Sequence, residues 1–274
     1  MLRYQNSEDV RYPGGDKLPA PRKLDPMVSI ISGELLAARA VAPSVDTSLG
    51  AKLLPGVLSV TAGSVDVISF LGLGGLFAAH ITGNLVILAA HIVTGKAASL
   101  ALILSVPVFI AVLALTRLVA AGLEGIGHGS LRPLLALQFV LLVSLLAVGV
   151  TAGSGLNPAA PTAVVAGMLG VAAMAVQNAL AQISLVGAPA TAVMTTDITR
   201  FIMDVGTLLF PCDADGVADA SSRARRTWPA IVGFTVGCSL GALLEVVIGP
   251  WSLVLPTGFA VLALALGFSI KGEV

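Results

Sequence analysis

Between Arg132 and Asp197 the chain contains no lysine, arginine, aspartate or glutamate. A soluble domain carries about 25% charged residues, because every face that meets water needs them. A stretch this long without one must be surrounded by lipid or by protein. The whole chain agrees, with 56% hydrophobic and 11% charged residues and a mean hydropathy of +0.97. A membrane helix needs about 20 mainly apolar residues. Eight apolar segments follow residue 52, at about 53–76, 77–95, 97–120, 132–152, 162–183, 189–210, 229–248 and 252–270. Six of these read as ordinary spans. The segments 77–95 and 189–210 are more polar and follow their predecessors with little linker; only Gly74 and Gly75 separate the first of them from the helix before it.

The charges gather where the apolar segments are not. Residues 1–52 hold 13 of the 30 formal charges, with both signs mixed and with interruptions at Pro13, Gly14, Gly15, Pro19, Pro21, Pro26 and Gly33. There is no long apolar run here, so no cleavable signal peptide. The expectation is a disordered polar cytoplasmic tail over 1–52, with a short helix near Met27–Ala40. A transmembrane bundle would then occupy 53–271. Net charge is zero, which argues against nucleic acid as a partner. Cys212 and Cys238 have neither metal-ligand nor redox spacing and read as apolar fillers.

The order of segments is duplicated. Val65-Asp66 matches Gln177-Asn178 at an offset of 112, and Thr82-Gly83-Asn84 matches Thr195-Thr196-Asp197 at an offset of 113. Each half, about 53–152 and 162–271, reads as helix, polar segment, helix, helix. Repeats of this kind are common in transporters. If each polar segment dips in and returns, each half has three spans and the halves are inverted. If each crosses, each half has four and the repeat is parallel. Short cytoplasmic loops collect Lys and Arg. With six spans and a cytoplasmic N-terminus, Arg117, Arg132, Arg223, Arg225, Arg226 and Lys271 face the cytoplasm and only Lys96 faces out. Eight spans would move Arg117 and Arg132 outside. The fold expected is therefore all-α, a polytopic membrane helix bundle of about six spans in two repeated halves, each with a short polar broken or re-entrant segment.

Several residues could carry chemistry. Asp66 lies mid-span, where an ionised carboxylate costs about 2.5–3.5 kcal/mol on insertion scales and usually faces the bundle interior. It reads either as an ion, proton or substrate site or as a structural acceptor for neighbouring backbone and hydroxyls. His80-Ile81-Thr82-Gly83-Asn84 reads as an unwound, re-entrant stretch covered by protein, the other reading being an interfacial helix cap. In a continuous helix His80 and His91 would be about 16 Å apart, too far to share a metal. Gln177 and Asn178, with Thr195, are the second-half counterparts. Asp197, Arg200 and Asp204 share one helical face and read as an ion-pair latch or a binding site. Gly233, Gly237 and Gly241 continue to Glu245 in steps of four, a small-residue stripe that lets helices approach closely. Glu245 then points into the bundle or sits at its end as an interfacial carboxylate. No nucleophile, phosphate-loop, metal or cofactor motif is present, so neither an enzyme nor a cofactor is expected.

Four stretches together resemble the YoaK family of bacterial membrane proteins: Ala62-Gly63-Ser64-Val65-Asp66; Gly75-Leu76-Phe77 leading to His80-Ile81-Thr82-Gly83-Asn84; Ala175-Val176-Gln177-Asn178-Ala179; and Met194-Thr195-Thr196-Asp197-Ile198-Thr199. The match covers about residues 53–270. Thr196 departs from it, where the family often has glycine. The resemblance implies a multi-pass inner-membrane protein of about six helices and supplies no mechanism. From the residues, the leading expectation is a secondary transporter of a small solute or ion, embedded in the lipid bilayer of the inner membrane with both termini cytoplasmic. The alternative is a non-transporting membrane scaffold or sensor.

Overall fold

The computed structural model describes residues 49–153, 157–185, 188–189, 191, 194–211 and 214–270. The expected tail lies outside those residues up to position 48, as do Cys212 and Lys271. Among the described residues all regular structure is helical. The elements are α1 (Leu49–Gly72), α2 (Ile81–Thr94), α3 (Leu100–Gly125), α4 (Leu131–Ala152), α5 (Pro161–Ser184), α6 (Met194–Leu209), α7 (Ala214–Ile248), a 3-10 turn (Gly249–Leu253) and α8 (Val254–Ser269). Among the described residues five stretches are long and apolar enough to cross a membrane, and the last, Gly216–Ser269, takes in most of α7, the 3-10 turn and α8.

Three boundaries differ from the hydropathy reading. α1 begins at Leu49, so Lys52 belongs to its first turn. α2 begins only at Ile81, and residues 77–80, apolar enough to pass for helix, are not helical. α7 starts at Ala214, fifteen residues before the apolar run at 229, because Ala218, Ala220, Arg223, Ala224, Arg225 and Arg226 are good helix formers whatever their polarity.

The centre of the bundle is the contact between α1 and α7, which run parallel. A Cβ on Gly233 would lie 2.6 Å from the Gly56 carbonyl oxygen, and one on Gly237 would overlap that of Val60. A Cβ on Gly241 would lie 3.1 Å from the Ser64 Cα, and one on Gly72 would lie 3.0 Å from Glu245 Oε1. Both helices supply small residues, since a Cβ on Gly63 of α1 would overlap the Phe234 carbonyl oxygen. The stripe expected on α7 is thus one half of a two-sided seam.

Around this pair, α1 also packs on α8, α5 packs on α3 and α4, α4 packs on α8, α2 packs on α3, and α6 packs on α7. At one end Ser130 and Ser184 share a hydrogen bond of 3.0 Å, and Arg132 donates to the carbonyls of Gly267 and Ile270 while lying over the Phe268 ring. At the other end Gly74 abuts Pro158, Gly149 abuts Leu253 and Gly167 abuts Leu76. Leu58, Leu134, Leu142, Leu145, Met174 and Leu180 fill the interior. Ile110, Leu115, Leu118, Val140 and Val246 project outward and are exposed. An apolar exterior of this kind suits lipid rather than water.

Candidate functional site

After Gly72 the chain does not continue away from the bundle. Gly74 and Gly75 take φ values of +72° and +87°, a left-handed conformation that a Cβ disfavours. They turn the chain back along α1. Residues 76–80 then descend beside it in non-helical form, with Leu76, Ala78 and Ala79 buried. The turnback reaches Asp66, six residues and about 9 Å inside the end of α1.

Non-helical backbone in an apolar interior needs partners for its N–H and C=O groups. Two side chains provide them. Asp66 Oδ1 accepts from the N–H of Ala79 at 2.8 Å and of His80 at 3.3 Å, and its Oδ2 lies 2.5 Å from His80 Nδ1. Asn84 accepts from the Phe77 N–H at 2.9 Å and donates to the Phe77 carbonyl at 2.7 Å. Asp66 and Asn84 are both buried, whereas the His80 ring is partly open. Phe77 and Phe234 meet that ring edge-on at 6.2 and 5.4 Å between centroids. With Asp66 ionised, His80 Nδ1 is the donor, which leaves Nε2 free to give or take a proton.

The break was therefore misplaced by the sequence reading. It lies at residues 73–80 and overlaps the expected 80–84 stretch only at His80, since 81–84 are helical. Gly83 is ordinary helix, and its missing side chain makes room for Phe77, whose Cδ2 a Cβ would approach to 2.9 Å. Asn84 satisfies the freed backbone at Phe77. Thr82 is exposed and takes no part in the pinning.

A second buried polar cluster forms around Gln177 on α5. α5 ends at Ser184, and Thr191 is buried. Its hydroxyl accepts from Gln177 Nε2 at 2.9 Å, seven residues inside the end of α5. Gln177 Nε2 also donates to the Leu58 carbonyl at 2.9 Å, and Gln177 Oε1 accepts from Gln138 at 2.6 Å. Asn178, expected as the counterpart of Asp66, instead donates to Met174 on its own helix. Gln138 and Thr191 were missed by the sequence reading. Gln138 is the lone amide in the apolar run of α4, a signal that could have been used. On α6, Asp197 and Asp204 are buried, whereas Thr195 and Arg200 are exposed. Asp204 pairs with Arg223 of α7 at 2.7 Å. The expected neutralisation of these carboxylates by Arg200 is thus replaced at Asp204 by a partner on another helix. Among the described residues no group of three His, Cys, Asp or Glu could hold a metal.

An apolar exterior, a glycine seam and a polar turnback pinned by buried side chains define the class, an all-α bundle of membrane-spanning helices. Residues 54–266 match the family model described as "Protein of unknown function (DUF1275)". The chain belongs to that family, in agreement with the resemblance carried by its motifs. No curated protein and no solved structure matches it.

Proposed function

We propose that the chain is a secondary transporter of a small solute, coupled to ion or proton movement through Asp66 and His80, and not an enzyme. The observation that carries the reading is the buried Asp66–His80 pair at the tip of a turnback between the central helices. A carboxylate hydrogen-bonded to an imidazole whose other nitrogen remains free is a unit that can accept and release a proton. Its position on non-helical backbone beside the α1–α7 seam is where carriers place coupling sites.

The same proposal includes six crossings, by α1, α3, α4, α5, α7 and α8, with α2 and α6 as half-penetrating returns from opposite ends. Residue 80 lies at the depth of Asp66, and Ala101 of α3 lies near Gly167 beside the end of α1. The five-residue link 95–99 spans at most about 18 Å, which favours a return of α2 toward the end it came from. The helix contacts favour a two-fold repeat, which is inverted if α2 and α6 both return. Exchanging each helix for the one four places along turns α1–α7 into α5–α3, α1–α8 into α5–α4 and α2–α3 into α6–α7, all of which are real contacts. Arg132 and the Asp204–Arg223 pair lie at the end where α1 begins, while Lys96 lies at the other. That asymmetry favours an inner-membrane protein with both termini in the cytoplasm.

The test uses proteoliposomes holding an internal pH-sensitive dye, with an amino acid, a carboxylate, an organic amine and a sugar added outside in turn. Wild-type protein should move protons with at least one solute, and Asp66→Asn should abolish that signal. Silence with every solute would remove the carrier reading and leave the scaffold or sensor in its place.

A further inference from the structure

The end of the bundle opposite Arg132 contains a cavity of about 470 Å³. Its walls are the last turns of three helices, α1 (Ile68 to Leu73), α4 (Leu145 to Gly153) and α7 (Glu245 to Ile248), closed by Ala166 and Leu253. Among the described residues Glu245 is the only ionisable side chain lining it. Its Oε2 accepts from Ser252 Oγ at 2.5 Å, and its Oε1 faces the end of α1 at Gly72.

The electrostatics here are one-sided. A helix C-terminus carries roughly half a negative charge, and a basic residue in the last turn usually offsets it. None of α1, α4 or α7 has a basic residue in its last turn. Three helix C-termini and one carboxylate therefore line a cavity that, among the described residues, has no cationic side chain in its walls. One serine hydroxyl does not balance that charge. A solute bearing a positive charge does.

The size of the space decides what kind of cation. A bare metal ion requires close-packed oxygen ligands, whereas this cavity falls in the range of small-molecule pockets. Much of its wall is apolar, from Ile68, Leu73, Leu145 and Leu253. We infer that this cavity binds a small organic cation, an amine or quaternary ammonium, with Glu245 as its counter-charge. The inference rests on the carrier reading only in naming that cation as the transported solute; binding itself does not depend on it.

The full chain in lipid nanodiscs is titrated with choline and with 3,3-dimethylbutanol, the uncharged isostere of choline. Wild-type protein should bind choline saturably and the alcohol at least about tenfold more weakly. Glu245→Gln should weaken choline by about tenfold or more, and Glu245→Asp should largely restore it. Choline should also protect Glu245 from carbodiimide modification, read by mass spectrometry, which locates the site in the wild-type chain even if a variant does not fold. Absence of saturable choline binding, equal binding of the alcohol, or no protection of Glu245 would overturn the inference. Choline bound at Glu245 without any proton signal in liposomes would keep the site and remove the carrier. A solute-driven signal abolished by Asp66→Asn, with choline binding indifferent to Glu245, would do the reverse.

Discussion

At the scale of single residues, Asp66 has two separable jobs. As an acceptor it pins the turnback, and as an ionisable group it is the proposed coupling site. Asparagine keeps an acceptor oxygen for Ala79 and His80 but cannot ionise. Asp66→Asn should therefore fold with near-normal thermal stability while losing coupled flux. Asp66→Ala leaves two inward N–H groups without their acceptor, at about 1–3 kcal/mol each, and should lower the melting temperature in detergent markedly. Equal stability of the two variants would show that the turnback is held by other contacts. Asn84 makes a sharper test, because it donates to and accepts from the same residue. Asn84→Asp would set a carboxylate oxygen against the Phe77 carbonyl, so less folded protein should be recovered, whereas a purely steric role for Asn84 predicts none of that loss. The importance of both residues was legible from their polarity in an apolar run. Their partners were not, since Asp66 reaches thirteen and fourteen residues along the chain and Gln177 reaches Leu58, 119 residues away. Hydropathy windows and helical spacing carry no information about such pairs.

At the scale of elements, the glycines of α7 illustrate what a spacing pattern gives and withholds. Steps of four placed Gly233, Gly237 and Gly241 on one face and implied a close neighbour. The neighbour's identity, and that it supplies glycines of its own, follow only from the packing of α1. The closeness also changes the expected tolerance. A Cβ at Gly237 meets main-chain atoms of Val60, which cannot rotate aside, so even Gly237→Ala forces α1 and α7 apart. Overpacking of this kind costs about 1–3 kcal/mol. The alanine variant should show a clearly lowered melting temperature and the leucine variant little folded protein. Alanine at Gly258, where a Cβ would meet open space, serves as the control. If Gly237→Ala melts like that control, the seam is looser than the geometry described. Helix ends were the least legible elements. The start of α2 is fixed by side chains that hold residues 77–80 out of the helix. The start of α7 lies in a polar stretch that hydropathy cannot see.

At the scale of the whole molecule, the six-crossing proposal fixes which loops face each side of the bilayer. If α2 and α6 return to the end they came from, the 94–100 link and the 153–160 loop lie on one side and the 126–130 loop on the other. If they cross, these assignments reverse for all three. Single cysteines at Lys96, His128 and Asn157, in a chain with Cys212 and Cys238 replaced, report the difference. All three positions are exposed, so a membrane-impermeant maleimide can reach whichever face outward. Intact cells should label the variants at Lys96 and Asn157 and spare the one at His128, which should label only after the membrane is opened. A cysteine at Ser222, beside Arg223 and on the cytoplasmic side under either arrangement, controls for leakage of the reagent. The pattern bears on mechanism as well as topology. With six crossings, the cavity at Glu245 opens to the outside and Asp66 lies two residues, about 3 Å, deeper than its floor at Ile68, the order in which an inward-moving solute would meet them. Labelling at His128 in intact cells, with Lys96 and Asn157 protected, would place eight crossings in the membrane. The inverted repeat would then be lost, and with it the argument that the two polar returns are halves of one carrier.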